Sequence, residues 1–233
     1  MDGQDMNWHR FAQQMASMAR DLLAQPTVDA TLKRITDAAY GVVAGCDAAG
    51  ILILRGGEVE TLAPSEEMVV ECDQLQGQLG QGPCFDAARR VDEERVFRIA
   101  DLTQYQERWP AFAPPARALG IGSMMGFLLF TDAQNLGALN LYSRRPGAFT
   151  DLSETAGVLL ASHAAVALAS ARTNAQKEEA IATRHQIGEA MGILMHRNKL
   201  TEEQAFDVLR HYSQQNNIKL RDVARQVCET GTL

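Results

Sequence analysis

The pattern of apolar and polar positions divides the chain into a helical start, a sheet-like middle and a helical end. Residues 5–24 are patterned as an amphipathic helix that Pro26 closes, and Thr27 then stands where an N-cap belongs. Behind it Val28, Leu32, Ile35, Ala39 and Val42 recur at alternating spacings of four and three, which places one apolar stripe along a second helix. Residues 50–55, the Gly56-Gly57 pair and the alternating residues 58–63 then predict a β-hairpin. A mixed pattern over 75–90 favours no element. Further strands are expected at 95–100, 122–130 and 136–142, the last two joined by a polar turn over 131–135. Helices flanking several hairpin-like strands imply an α+β domain built over an antiparallel sheet.

Thr150, just after Pro146 and Gly147, caps a long helical segment that runs toward Met195 with no proline or glycine between Gly157 and Gly188. Its heptad register places His163, Ser170, Thr173 and Lys177 at or near positions where a stable coiled coil wants aliphatic residues. A connecting helix follows from this, with any pairing to a second chain weak or switchable. Downstream, Thr201-Glu-Glu-Gln204 fits a capping box and starts a new helix. Ala205, Leu209 and Tyr212 form its stripe with Phe206 beside it. Asn216-Asn217 breaks the pattern, and Leu220, Val223, Ala224 and Val227 begin another. With Ile187, Ala190 and Leu194 upstream, these stripes predict three short helices that bury their apolar faces against one another.

Composition changes this picture little: 46% apolar and 22% charged residues over 233 positions suit a chain with a real core and room for two domains. Charges within the first 22 residues (Asp2, Asp5, Arg10, Arg20, Asp21) argue against a signal peptide, and no continuous run of about 18 apolar residues occurs, so no membrane partner and a cytoplasmic location are expected. Cys46, Cys72, Cys84 and Cys228 show no C-x-x-C spacing, which predicts reduced thiols, no metal site and no bound cofactor. Charge is more informative. From residue 184 onward seven basic residues stand against six acidic ones, a balance of +1, so the rest of the chain carries −8 of the total of −7.

Residues 184–195, Arg-His-Gln-Ile-Gly-Glu-Ala-Met-Gly-Ile-Leu-Met, continue through Leu200-Thr201, Ala205-Phe206, Leu209-Arg210 and Lys219-Leu-Arg-Asp-Val-Ala224. This series resembles the ANTAR domain of transcription antitermination regulators over about 50 residues, with Met191 where that family often has lysine. The preceding part, with Leu79-Gly-Gln-Gly-Pro-Cys-Phe-Asp86, Arg108-Trp109-Pro110, 136–142 and Ala148-Phe-Thr150 as landmarks, resembles a GAF domain. It lacks the Asn-Lys and Asp-Glu pairs of the cyclic-nucleotide type. The resemblance implies an N-terminal helix at 1–25, a GAF-like sensory domain with an antiparallel sheet flanked by helices at 26–169, a connecting helix at 170–183 and a small three-helix ANTAR bundle at 184–233. It further implies binding to RNA, the paired hairpin loops of nascent transcripts, by a homodimer under a small-molecule or protein signal received at the GAF domain.

Candidate RNA-binding residues are then Arg184, Gly188, Gly192, Arg197, Lys199, Arg210, Lys219, Arg221 and Arg225. Gly188 and Gly192 put two missing side chains on one helix face, which requires a close approach either by another helix of the bundle or by RNA. Arg221 and Arg225, at i and i+4, are expected to share one exposed face. No catalytic set is recognisable, so the chain is not expected to be an enzyme. Two alternatives stay open: a thiol enzyme using Cys84, which the bland reading makes a small buried residue beside a tight turn, and a protein-interaction adaptor. His163 is read as a helix-surface residue and not as a haem ligand.

Overall fold

A computed structural model describes residues 8–83, 85, 96–131 and 134–233. Its contacts divide the chain into two units, 1–172 and 173–233. The first begins with α1 (Trp8–Leu23) and α2 (Val28–Val42), and the Thr27 hydroxyl accepts from the Ala30 amide as the expected N-cap. Strand β1 (Ala48–Arg55) pairs with β2 (Glu58–Leu62) through the Gly56-Gly57 turn, both glycines lying at positive φ. Helix α3 (Glu67–Leu79), β3 (Val96–Ile99), a 3-10 turn (Leu102–Tyr105), α4 (Ala113–Ala118), β4 (Ser123–Thr131) and β5 (Gln134–Ser143) follow. The five strands form one antiparallel sheet in the order β2-β1-β5-β4-β3.

Both faces of this sheet are covered, because successive residues on a strand point to opposite sides. Ala49, Ile51, Met125, Phe127, Leu139 and Leu141 face a layer that includes Met18, Leu22 and Ile35 of α1 and α2 and Leu160 and Leu168 of the helix after the sheet. Ala48, Leu52, Met124 and Tyr142 face the other way, against Val69 and Cys72 of α3 and against Trp109 and Phe112. Trp109 stacks on Tyr105 at 5.4 Å and meets Phe112 edge-on, so the Arg108-Trp109-Pro110 landmark is a core anchor. Two glycines make room for aromatic rings: a Cβ on Gly157 would lie 2.1 Å from the Phe127 ring where α5 meets the sheet, and one on Gly126 would lie 2.0 Å from the ring of Phe97, its cross-strand partner.

The mixed pattern at 75–90 hides the end of α3, whose start lies still earlier in the chain. Met68, Val69 and Cys72 are buried on it together with Asp73 and Gln76, so two polar residues break the apolar period that marks a helix. Of the expected 131–135 turn, Thr131, Gln134 and Asn135 belong to strands, and 132–133 lie outside the described residues. Strand β4 runs to Thr131 and β5 starts at Gln134, with a bulge at Leu129/Phe130.

Helix α5 (Asp151–Asn198) is unbroken over 48 residues. Thr150 and Ser153 cap it reciprocally: the Ser153 amide donates to the Thr150 hydroxyl at 3.3 Å and the Thr150 amide to Ser153 Oγ at 3.1 Å. Ser153 Oγ also donates to the Ala44 carbonyl, which ties the first turn of α5 to the chain leaving α2. Among the described residues α5 is the one helix long and apolar enough to cross a membrane, and half of its 18-residue apolar window is buried inside the protein. Packing against the sheet accounts for that apolarity.

The second unit consists of the end of α5, α6 (Glu202–Asn216) and α7 (Leu220–Thr230). The first of the three expected short helices is therefore the continuation of α5 and not a separate element. Ala190, Leu194, Ala205, Leu209, Val223, Ala224 and Val227 form the core. The capping box closes in full, Gln204 amide to Thr201 hydroxyl and Thr201 amide to Gln204 Oε1, and Asn217 ends α6 in the left-handed conformation.

Candidate nucleic-acid interface

The C-terminal turns of α5 present Arg184, Gly188 and Gly192 at steps of four, hence on one face. All three are exposed, and a Cβ added at either glycine meets nothing within 4 Å. Of the two close approaches that the spacing left open, by another helix of the bundle or by RNA, the first is thus absent among the described residues. The glycines leave helix backbone open to the outside. Beside them lies a shallow groove of about 630 Å³, bounded by Arg184, Ile187, Gly188 and Met191 of α5 and by Glu202, Glu203 and Phe206 of α6. Phe206 is 38% exposed although its neighbours Ala205 and Leu209 are fully buried, so one aromatic face opens onto the groove.

The candidate cations fall into two groups. Arg197 donates to the Gly231 carbonyl at 2.6 Å and so closes the end of α7. Arg221 pairs with Glu179 on α5; it is half-buried and its Nε is shielded, with no hydrogen-bond partner for that atom. The expectation that Arg221 and Arg225 share one exposed face is corrected accordingly. The attraction of Glu179, 42 residues away in the chain, draws Arg221 inward, and Arg225 alone stays on the surface. Arg210 and Arg225 make exposed i,i+3 pairs with Asp207 at 2.8 Å and Asp222 at 3.1 Å. Such pairs are worth at most about 1 kcal/mol and yield readily to a phosphate.

Arg184, Lys199 and Lys219 are exposed and have no ion pair among the described residues. Lys199 takes a left-handed φ of 56° where the chain leaves α5, and Lys219 is the N-cap residue of α7. Sequence reasoning singled out the cations and glycines but treated Phe206 as a flank of the apolar stripe and passed over His185, which is exposed beside Arg184. The signal for Phe206 was its position one residue past the stripe, where an aromatic cannot reach the core.

The first unit holds a different kind of feature, a polar cluster inside the core. The Asp73 carboxylate accepts from Tyr142 Oη at 2.8 Å, Thr61 Oγ1 at 2.9 Å and Asn140 Nδ2 at 3.3 Å. Burial pushes the Asp73 carboxyl up to about 6, and these three donors pull it back only in part. Cys84 lies outside the described residues. Of the thiols that could resolve it, Cys72 is fully buried, and burial together with Asp47 pushes Cys46 up to about 12, which leaves it protonated and unreactive at neutral pH. His163 is partly exposed on α5, as read from the sequence. No group of three or more metal-ligating side chains occurs among the described residues.

A GAF domain family model matches residues 25–169, and an ANTAR domain model matches residues 175–227. No curated protein matches the sequence. Among solved structures, the GAF domain of a phosphoenolpyruvate-protein phosphotransferase from Coxiella burnetii is similar at 20% identity and a TM-score of 0.55, covering 73% of this chain and 99% of that one. The corresponding Acinetobacter domain matches at 13% identity and a TM-score of 0.53, covering 76% and 99%. The photosensory core module of a Stigmatella aurantiaca phytochrome matches at 11% identity and a TM-score of 0.59, covering 84% of this chain and 44% of that one. At these identities the likeness concerns the fold alone.

Proposed function

The chain belongs to the GAF domain family and carries an ANTAR domain behind it, and from that premise we propose that it is an RNA-binding transcription antitermination regulator in which the GAF domain controls binding to hairpin loops of nascent transcripts. Residues 26–169 sense, 170–183 connect and 184–233 bind. The observation that carries the reading is the open face at the end of α5, where unshielded backbone at Gly188 and Gly192 lies beside the unpaired Arg184 and the exposed ring of Phe206. A loop base that is unstacked needs an aromatic or planar surface and a nearby cation, and backbone without side chains lets a ribose–phosphate strand come close. Lys199 and Lys219 add cations free to meet phosphate. Arg210 and Arg225 can be released from their surface pairs, whereas Arg197 and Arg221 act by holding the bundle together.

Two hairpin loops call for two bundles, so the active form is a homodimer. Apolar residues left on the surface of α5 support this, Val166 at 57% and Ile181 at 67% exposure. A signal at the GAF domain acts through α5 and alters RNA affinity by about five- to a hundred-fold, the usual range of a coupling free energy.

The test is hairpin-RNA binding by the full chain at several salt concentrations. Replacing Arg184 and Lys219 with glutamate should weaken binding and flatten the salt dependence by about 0.7 in log–log slope per lost contact. Unchanged affinity in a folded double variant removes this surface from the reading. Two residues inserted near Ala175 turn the bundle by about 200° relative to the sheet domain and should abolish regulation. Sedimentation of a monomer with and without RNA would exclude the dimer.

A further inference from the structure

On the face of the sheet covered by α1 and α2, a half-enclosed cavity of about 590 Å³ opens between α2, the sheet and α5. Its floor is apolar, formed by Val28 and Leu32 of α2, Ile53 of β1, Leu62 of β2 and Leu136 of β5. Its rim carries four charges: Asp29, Arg55, Glu60 and Arg172. Two of them pair with each other and two do not. Arg55 is paired with Glu60 at 3.2 Å, and Asp29 sits exposed in the first turn of α2, where the helix N-terminus favours it. Arg172 is partly buried and has neither hydrogen bond nor ion pair among the described residues.

The electrostatics at Arg172 are unfavourable as the protein stands. Burial lowers its basicity, the like charge of Arg55 lowers it further, and no carboxylate among the described residues offsets either effect. A guanidinium does not lose its proton in a protein, so the cost is relieved only by an anion brought to it. The planar fork of one free arginine matches one carboxylate bidentately. Because Arg55 is already paired with Glu60, the rim offers one unpaired guanidinium, which favours a monoanion over a dianion. The cavity volume falls within the range of small-molecule sites, and the apolar floor suits a hydrocarbon body behind the charged head.

We propose that this cavity binds a small organic anion, a single carboxylate on an apolar body, held by Arg172 and steered by Arg55. The site extends the sensory role proposed for the GAF domain and names the class of its signal. Arg172 belongs to the same unbroken helix whose last turns carry Arg184, Gly188 and Gly192, so an occupant that draws this arginine toward β1 acts directly on α5.

The experiment is calorimetric titration of the full chain, without RNA, so that its outcome is independent of whether RNA binds. The probes are octanoate and 3-phenylpropionate, with octanol as a body lacking the head and inorganic phosphate as a head lacking the body. At least one carboxylate should bind saturably, with octanol and phosphate about tenfold weaker or more. Arg172→Gln should lose about tenfold or more in carboxylate affinity while melting unliganded like the wild type, and Arg172→Lys, which keeps the charge but not the fork, should fall between. Three results would each overturn the proposal: neither carboxylate binds saturably, octanol binds as well as octanoate, or a folded Arg172→Gln protein binds the carboxylates unchanged.

Discussion

The sheet domain and the C-terminal bundle bury different chemistry. The core of the first contains Asp73, Gln76, Asn140 and other polar side chains among two large apolar clusters, whereas every buried residue described in the bundle is Ala, Val or Leu. A low-dielectric interior makes each buried polar group expensive and state-dependent, so the sheet domain has something inside that an event can act on. The bundle has only packing within, and its chemistry has to lie on its surface. That surface is where the open glycine face and the cations with no ion pair among the described residues are found. The bundle is also the smaller reserve of stability, since a short chain buries a smaller share of its surface.

The same deletion made in each unit should have unequal consequences. Leu209→Ala and Leu139→Ala both remove a fully buried leucine and should each cost about 2–5 kcal/mol. In the bundle that loss should unfold residues 184–233 and abolish RNA binding while the sheet domain still melts as before. In the sheet domain it should lower the melting temperature and leave the fold. Circular dichroism melts with two resolved transitions would show it, and equal survival of both units would refute the contrast.

The next effect concerns Asp73. Its carboxyl titrates near 6 when folded and near 4 when unfolded, so between those values only the folded state holds the proton. Stability of the sheet domain should therefore be lost as pH rises through about 4 to 6, by roughly 3 kcal/mol, and stay level above that. Asp73→Asn, which keeps a donor and an acceptor, should flatten this slope, and the bundle should show no such dependence. Denaturant midpoints measured across the window would check both. A smaller effect is expected from Thr201→Ala, which opens the capping box and should cost the bundle about 1 kcal/mol with no change in the other transition. Smallest is Gly188→Ala. With nothing within 4 Å of the new methyl group, it should stabilise the bundle by up to about 1 kcal/mol yet weaken RNA binding, a split that a purely structural glycine could not produce.

Local rules made much of the fold legible. The Gly56-Gly57 hairpin, the Thr27 and Thr150 caps and the Thr201/Gln204 box each rest on residues a few positions apart, and the structure realises all of them. Helix α3 escaped because Asp73 and Gln76 are buried, Asp73 against partners on strands distant in the chain, and polar residues in sequence look like solvent-exposed positions. Helix α4 escaped for another reason: Pro114 and Pro115 at its start signal a turn as readily as a first helical turn. At the candidate interface the glycine pair and the basic residues were visible, but their roles were not. Whether Arg221 is free or spoken for depends on Glu179, and no spacing rule links positions on two separate helices.

One stretch of α5 has a consequence in time. Residues 173–182 are exposed one after another on every side of the helix, so beyond side-chain contacts such as the Glu179–Arg221 ion pair about three turns of it are held chiefly by their own backbone hydrogen bonds. A helix of that length is marginal when nothing packs on it. Amide protons there should exchange with solvent well before those of Leu160 or Leu168, which lie fully buried on the same helix. Where the backbone opens a protease can enter, and Lys177 is the basic residue within that stretch. Brief trypsin treatment should therefore cut first at Lys177, and a second chain laid along α5 would close that door and lengthen the life of the intact protein.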